Sequence, residues 1–394
     1  MMKKVALKLI NNEDFNAEVD GKRVALYTLT AGDLTMQVTN YGARVVSLWA
    51  PDRDGAYEDV VLGYEHIDRY VHNCGERFLG AVVGRYANRI AGGRFDLDGM
   101  VYSLPQNNNG QTLHGGVKGV DRVVWEVKSA TAHKLVLCYV AKDGEEGFPG
   151  NLSIEMTYEL TPQNEFKVTY LATTDAPTVV NLSHHSFFNL MGEGRGTITD
   201  HILTIHGDYI IPVNSVLIPT GEMASVEGTP FDFREPHVIG ERIEVENEQL
   251  KMGAGYDHCW VLSRPAEWGT GERPTEEGTG DCPTEGGAGE RPTDGGAGDC
   301  PTDEVALAAT LWEPGSGRYM EVFTDQPGIQ FYCGNFFDYG SSNGKYGRPL
   351  KYRESLALET QKFPDSPNHP HFPSTLLRPG ELYSHTCIYK FGAK

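Results

Sequence analysis

The chain has 394 residues, 39% of them hydrophobic and 10% aromatic, enough for a sizeable apolar core. A formal net charge of −20 leaves no basic surface for nucleic acid or an anionic membrane. No run reaches the length of a membrane span, no secretory leader is legible in residues 1–13, and the seven cysteines are odd in number, scattered and without a CxxC pair. A reduced, cytoplasmic protein is expected, with neither nucleic acid nor membrane as a partner.

In chain order, strand-like text comes first at 34–38 and 45–49, with a short helical piece at 64–70. A further strand is expected at 135–140. Across 152–160, Leu152, Ile154, Met156, Tyr158 and Leu160 alternate with Ser153, Glu155, Thr157 and Glu159, the period of a half-buried strand. Residues 165–173 follow a Pro162-Gln163-Asn164 turn and should pair back on it. Strands are also expected at 305–312, 319–323 and 386–391. No long helical period intervenes. Many short strands parted by glycine and proline read as an all-β, antiparallel β-sandwich or barrel.

One segment breaks the pattern. Residues 264–303 carry a nonapeptide repeat (ERPTEEGTG, DCPTEGGAG, ERPTDGGAG) with ten Gly, five Pro and ten acidic residues. The aspartates and apolar positions of a calcium-binding β-roll are missing from it. Such text buries too little apolar surface to offset its ordering entropy, so a disordered acidic loop between two strands is expected. The rest reads as one domain spanning 1–394, interrupted by this loop.

The chemistry-bearing motifs begin with absences. There is no P-loop, no dinucleotide fingerprint, no GxSxG elbow and no HExxH helix. What remains is a scatter of polar residues in apolar text. His184 and His185 sit in VNLSHHSFFN, where strand parity puts His185 with Phe187 and His184 with Phe188. Glu359 falls at the end of an apolar strand, where an unpaired carboxylate costs several kcal/mol. His114 precedes a Gly pair, and the GRYANR segment at 84–89 supplies guanidinium and amide donors from Arg85, Asn88 and Arg89. Asp257 and Gln330 stand beside aromatics. Carboxylates, amides and guanidinium groups with aromatic rings suit a neutral polyol. Taken singly, each also fits a structural role, such as a core histidine or a salt-bridged carboxylate.

The blocks TNYGARVVSLWAPDRDG (39–55), VVGRYANRIAGGRF (82–95), QTLHGGVKGVDRVVW (111–125), VNLSHHSFFNL (180–190), GYDHCW (255–260), TDQPGIQFYCGNF (324–336) and LALETQKFPDSPNHPHFPSTLLRPGE (356–381) together resemble the aldose 1-epimerase (galactose mutarotase) family over nearly the whole chain. The repeat has no counterpart in that pattern. The resemblance implies a large antiparallel galactose mutarotase-like sandwich and interconversion of the α and β anomers of free hexoses such as glucose and galactose. It carries the family's base onto Glu359, its acid onto His185, a further histidine onto His114, and substrate contacts onto Asn88, Arg89, Asp257 and Gln330. His184 stands where the family usually has Asn.

Mutarotation moves one proton off the C1 hydroxyl and one onto the ring oxygen, so a carboxylate base and an imidazolium acid on opposite sides of the hemiacetal suffice. A neighbouring carboxylate should raise the histidine pKa. His114 is expected to stabilise the ring oxygen or share the acid role. No metal and no cofactor are expected, only a small free aldose, acting on a monomer or weak homodimer. Three rivals remain: a non-catalytic sugar-binding module, a glycoside hydrolase using Glu359 with Asp257, and a sugar-phosphate epimerase, which would want a cluster of cations.

Overall fold

A computed structural model of the chain describes residues 7–72, 75–263, 305–337 and 343–394. The repeat, for which disorder is expected, lies outside these residues.

The alternation at 152–160 forms a strand with those bounds, Leu152–Leu160, its apolar positions all buried. It pairs antiparallel with Glu165–Thr174 across the expected turn, where Asn164 adopts φ 61° and its N–H bonds to the Thr161 carbonyl. Asn tolerates this left-handed backbone better than a branched residue does. Around this hairpin grows a nine-stranded sheet. Its order is Glu126–Ala130, Lys134–Ala141, Leu152–Leu160, Glu165–Thr174, Tyr383–Ala393, Arg318–Thr324, Ala306–Trp312, Ile202–Ile205 and His237–Val238. Every neighbouring pair is antiparallel.

Two smaller sheets face it. One has four strands, Leu26–Ala31, Leu34–Thr39, Arg44–Pro51 and Tyr57–Asp59. The other has five, in the order Ala224–Ser225, Gly207–Ile211, Asp257–Leu262, Gly328–Tyr332 and Ala357–Gln361. Leu29, Met36 and Leu48 from the first, Trp260, Ile329, Phe331 and Leu358 from the second, and Met156, Val168 and Val322 from the large sheet share one apolar core. The architecture is the expected β-sandwich. Each fully buried large apolar side chain of this kind contributes about 1.5–3 kcal/mol.

Strand parity in the five-stranded sheet places the site. Trp260, Ile329, Phe331 and Leu358 point into the core, so the alternate positions Asp257, Gln330, Tyr332 and Glu359 lie on the other face. Asp257 is directly opposite Tyr332, and Gln330 directly opposite Glu359. Glu359 is therefore mid-strand, not at the strand end as its sequence suggests. The polar pair Thr360-Gln361 mimics a strand exit, yet both are buried, and Thr360 is 2.9 Å from Nε2 of the buried His385. The helix expected at 64–70 is the single turn Ile67–Val71, entered from an extended His66.

Candidate active site

A cavity of about 250 Å³ opens on this face. Glu359, His185, His114, Asn88, Arg89 and Asp257 all line it. Six of the seven site residues expected from sequence are thus brought to one place. The seventh, Gln330, lies in a small adjoining recess that shares Asn88, Arg89 and Asp257 with the main cavity. Gln330 donates to Asp257 Oδ1 at 2.7 Å and so acts on that carboxylate from behind. Arg85 does not join them. Its guanidinium is buried elsewhere, donating to the carbonyls of Pro149 and Gly150 and to Thr178.

His185 ends the short strand Ser183–His185, which pairs with Ala81–Val83. Its ring packs 4.8 Å from that of Phe187, as parity requires. His184 faces the opposite way. Its Nδ1 is 3.0 Å from the Tyr158 hydroxyl and its Nε2 2.7 Å from Ser186 Oγ, against Phe166 and Tyr389 of the core. The unusual histidine therefore leaves the cavity's polarity unaltered.

His114 follows the strand Thr112–Leu113, paired with Arg89–Ile90, and has φ 49°. The next residue must be glycine. Gly115 has φ +85°, and a Cβ there would sit 1.9 Å from the Gly84 carbonyl oxygen. Arg77 grips Asp121 through two bonds of 2.9 and 2.8 Å and donates to the Gly116 carbonyl at 3.1 Å. That clamp fixes the glycine turn and seats Phe78, whose ring lies 4.6 Å from His114 and 5.8 Å from His185.

The Asn88 N–H donates to His114 Nδ1 at 3.1 Å. An accepting Nδ1 assigns the ring proton to Nε2, since a neutral imidazole carries one N–H. Burial, with His185 and Arg89 nearby, holds the His114 pKa well below the ordinary histidine range. Both features favour a neutral His114 with its N–H at Nε2. The same tautomer bears on metal binding. His114, His185 and Glu359 bring donor atoms within 4.8 Å of one another, a group that could hold an ion. With Nδ1 engaged, Nε2 would have to lose its proton to ligate, which disfavours a metal here.

His185 Nε2 lies 3.4 Å from Glu359 Oε1, both side chains almost fully buried. Burial, then the nearby Asp257, raises the Glu359 carboxyl well above its usual range, while Arg89 works against this. Burial also lowers His185 to about 3. This corrects the expectation of an imidazolium sustained by its carboxylate neighbour: desolvation wins. In the empty site the two groups are in contact, with no gap between them. Both shifts favour the neutral carboxyl and the neutral imidazole in the empty site. A proton passed from carboxyl to imidazole would give the carboxylate and imidazolium with no change in net charge. Glu359 Oε2, Gln330 Oε1 and His185 Nδ1 are buried without hydrogen-bond partners among the described residues.

Phe187 lines the cavity too, on the His185 face as parity placed it, while Tyr332, Phe78, Phe336 and Glu76 also line it and were not singled out from sequence. Tyr332 was within reach, being two residues past Gln330 on the same strand face. Phe78 and Glu76 sit in text with no periodic signal.

A buried carboxyl–imidazole pair, carboxylate and amide groups, and aromatic walls on one face of an antiparallel sandwich make a cavity suited to a carbohydrate. The aldose 1-epimerase family model matches residues 25–390. The chain is 39% identical over 368 residues to the galactose mutarotase of Bos taurus, covering 93% of this chain and 94% of that one. It is 34% identical over 379 residues to the aldose 1-epimerase of Escherichia coli K12, covering 95% and 97%. Among solved structures, an aldose epimerase homologue from C. elegans superposes with a TM-score of 0.78 at 27% identity, covering 94% of this chain and 99% of that one. The galactose 1-epimerase of Lactobacillus acidophilus gives 0.74 at 26% identity, covering 96% and 97%. The chain belongs to the aldose 1-epimerase family.

Proposed function

We propose that Glu359 and His185 are the acid–base pair with which this enzyme opens and recloses a free hexose. The observation that carries the reading is their 3.4 Å contact at the wall of the cavity. The two oxygens that exchange protons in a cyclic hemiacetal share one carbon, so a base and an acid in mutual contact can reach both. Glu359 takes the C1 hydroxyl proton. The C1–O bond to the ring oxygen breaks as His185 protonates that oxygen, giving the open aldehyde. Rotation about C1–C2 presents the other carbonyl face. His185 then removes the proton from the attacking hydroxyl, and Glu359 returns one to the new anomeric oxygen. Both groups end as they began.

The Nε2–H of His114 is suited to donate to the ring oxygen as charge develops there. Asn88, Arg89 and Asp257 bind the remaining hydroxyls, and Gln330 holds Asp257 in place. Arg89 is the one cation among the described lining residues, opposite three carboxylates, Glu76, Asp257 and Glu359. That balance disfavours a sugar phosphate.

The same reading takes the chain as one domain interrupted at 264–303. It takes the active unit as a monomer or weak homodimer. A cytoplasmic location fits the four free cysteines among the described residues, Cys138, Cys259, Cys333 and Cys387. No helix among those residues is long and apolar enough to cross a membrane.

Polarimetry on freshly dissolved α-D-glucose and α-D-galactose tests the proposal. Acceleration of both decays well beyond buffer, with no release of phenol from an aryl glycoside, is the expected result. Glycoside cleavage, or binding without acceleration, would refute it.

A further inference from the structure

Glu76 is half-buried, lines the cavity, and has no role in the proton transfers. Its backbone is set by the segment that Arg77 clamps to Asp121. Arg77 directs its guanidinium hydrogen bonds to Asp121 and the Gly116 carbonyl, and acts on the Glu76 carboxylate, as Arg44 does, only through its charge. The Glu76 carboxylate leans on backbone N–H groups, Phe78 N lying 3.0 Å from Oε1. A carboxylate has about four lone-pair directions, so acceptor capacity remains for a ligand.

Tyr332 stands next to it on the same wall. Its hydroxyl accepts from the Phe336 N–H at 2.9 Å, which leaves its own O–H to be donated. Burial, then the charge of Glu76, raises that phenol's pKa well above its ordinary value and keeps it protonated. The cavity therefore presents a donor and an acceptor side by side. A ligand that accepts from one and donates to the other must carry both a lone pair and a proton in close reach of each other. A sugar hydroxyl does. An ammonium lacks the lone pair, and a carboxylate or phosphate would be repelled by Glu76. Phe336, 53% exposed at the mouth and stacked 5.9 Å from Tyr332, adds an apolar surface beside the pair.

From this arrangement we infer that Glu76 and Tyr332 form a hydroxyl-binding subsite, and that Glu76 is a specificity-determining residue for one non-anomeric hydroxyl of the aldose. The inference rests on the cavity being an aldose site, which wild-type turnover of galactose tests separately.

The experiment compares wild type, Glu76→Ala and Glu76→Gln with D-galactose and its 2-, 3-, 4- and 6-deoxy derivatives, measuring kcat and KM for each. With galactose, Glu76→Ala should raise KM by roughly tenfold to a hundredfold, the range for a hydrogen bond to a charged group, with kcat within about threefold. One deoxy sugar should already bind weakly to wild type and show no further loss in the variant. Glu76→Gln, which keeps an acceptor, should show a smaller KM rise with the same deoxy sugar immune. It carries the test if the alanine variant does not fold. An unchanged KM, an equal loss on all five sugars, or a fall confined to kcat would overturn the assignment. A wild type that turns over none of the sugars would instead defeat the aldose reading itself.

Discussion

His184 and His185 are adjacent in the chain and lie on opposite sides of one wall: His185 faces Glu359 across 3.4 Å, while His184 is sealed in the core against Tyr158 and Ser186. Replacement of each by Asn should therefore give different defects. His185→Asn removes the acid, and kcat should fall at least a hundredfold in a folded protein. His184→Asn should leave kcat within about tenfold and lower Tm instead. Equal losses of kcat in two folded variants would contradict the facing of the two rings.

The core histidine also predicts a pH effect on stability. Burial, with His185 adjacent, lowers His184 to about 3, against about 6.5 for an unfolded histidine. Below pH 6.5 the unfolded chain binds a proton that the folded chain refuses, so this residue's contribution to stability is full above 6.5 and drains away as pH falls towards 3. Asn has no such titration. At pH 7.5 the His184→Asn variant should be less stable, having lost two hydrogen-bond partners. By pH 5 the deficit should shrink by about 2 kcal/mol, at about 1.4 kcal/mol per pH unit. The other buried histidines are common to both proteins and cancel. Denaturant melts at the two pH values that show a constant deficit would contradict the buried, neutral assignment.

The strands were legible because alternation is a local property. Leu152 to Leu160 shows in sequence the same faces it shows in the sheet. The placing of His185 against His184 followed from the same parity. Electrostatics was not legible. Glu359 and His185 come from distant strands, and the raised carboxyl and depressed imidazole depend on the desolvation that only the closed sandwich imposes. The tautomer of His114 likewise depends on one backbone N–H, that of Asn88. Glu76 and Phe78 were silent because their segment is held by Arg77 gripping Asp121, a long-range contact with no periodic signature.

The repeat offers a prediction argued from its flanks. Ser263 N donates to the His206 carbonyl at 2.9 Å, and His206 N donates to the Ala308 carbonyl at 2.8 Å. Both ends of the insertion are thus tied to one residue. Closing a loop costs only about 0.6 kcal/mol per doubling of length. Deletion of 264–303 with a short glycine-containing linker should leave Tm within about 3 °C and kcat/KM within about threefold. A large fall in kcat/KM at unchanged Tm would show that the repeat belongs to the site.

The most direct test of the account is Glu359→Gln, followed by polarimetry on α-D-galactose with Tm and sugar binding measured on the same preparation. The amide keeps the shape of the side chain and removes the base that contacts His185. The account predicts a kcat at least about a hundredfold lower, with folding intact and sugar still bound. Turnover within about tenfold of wild type would contradict it.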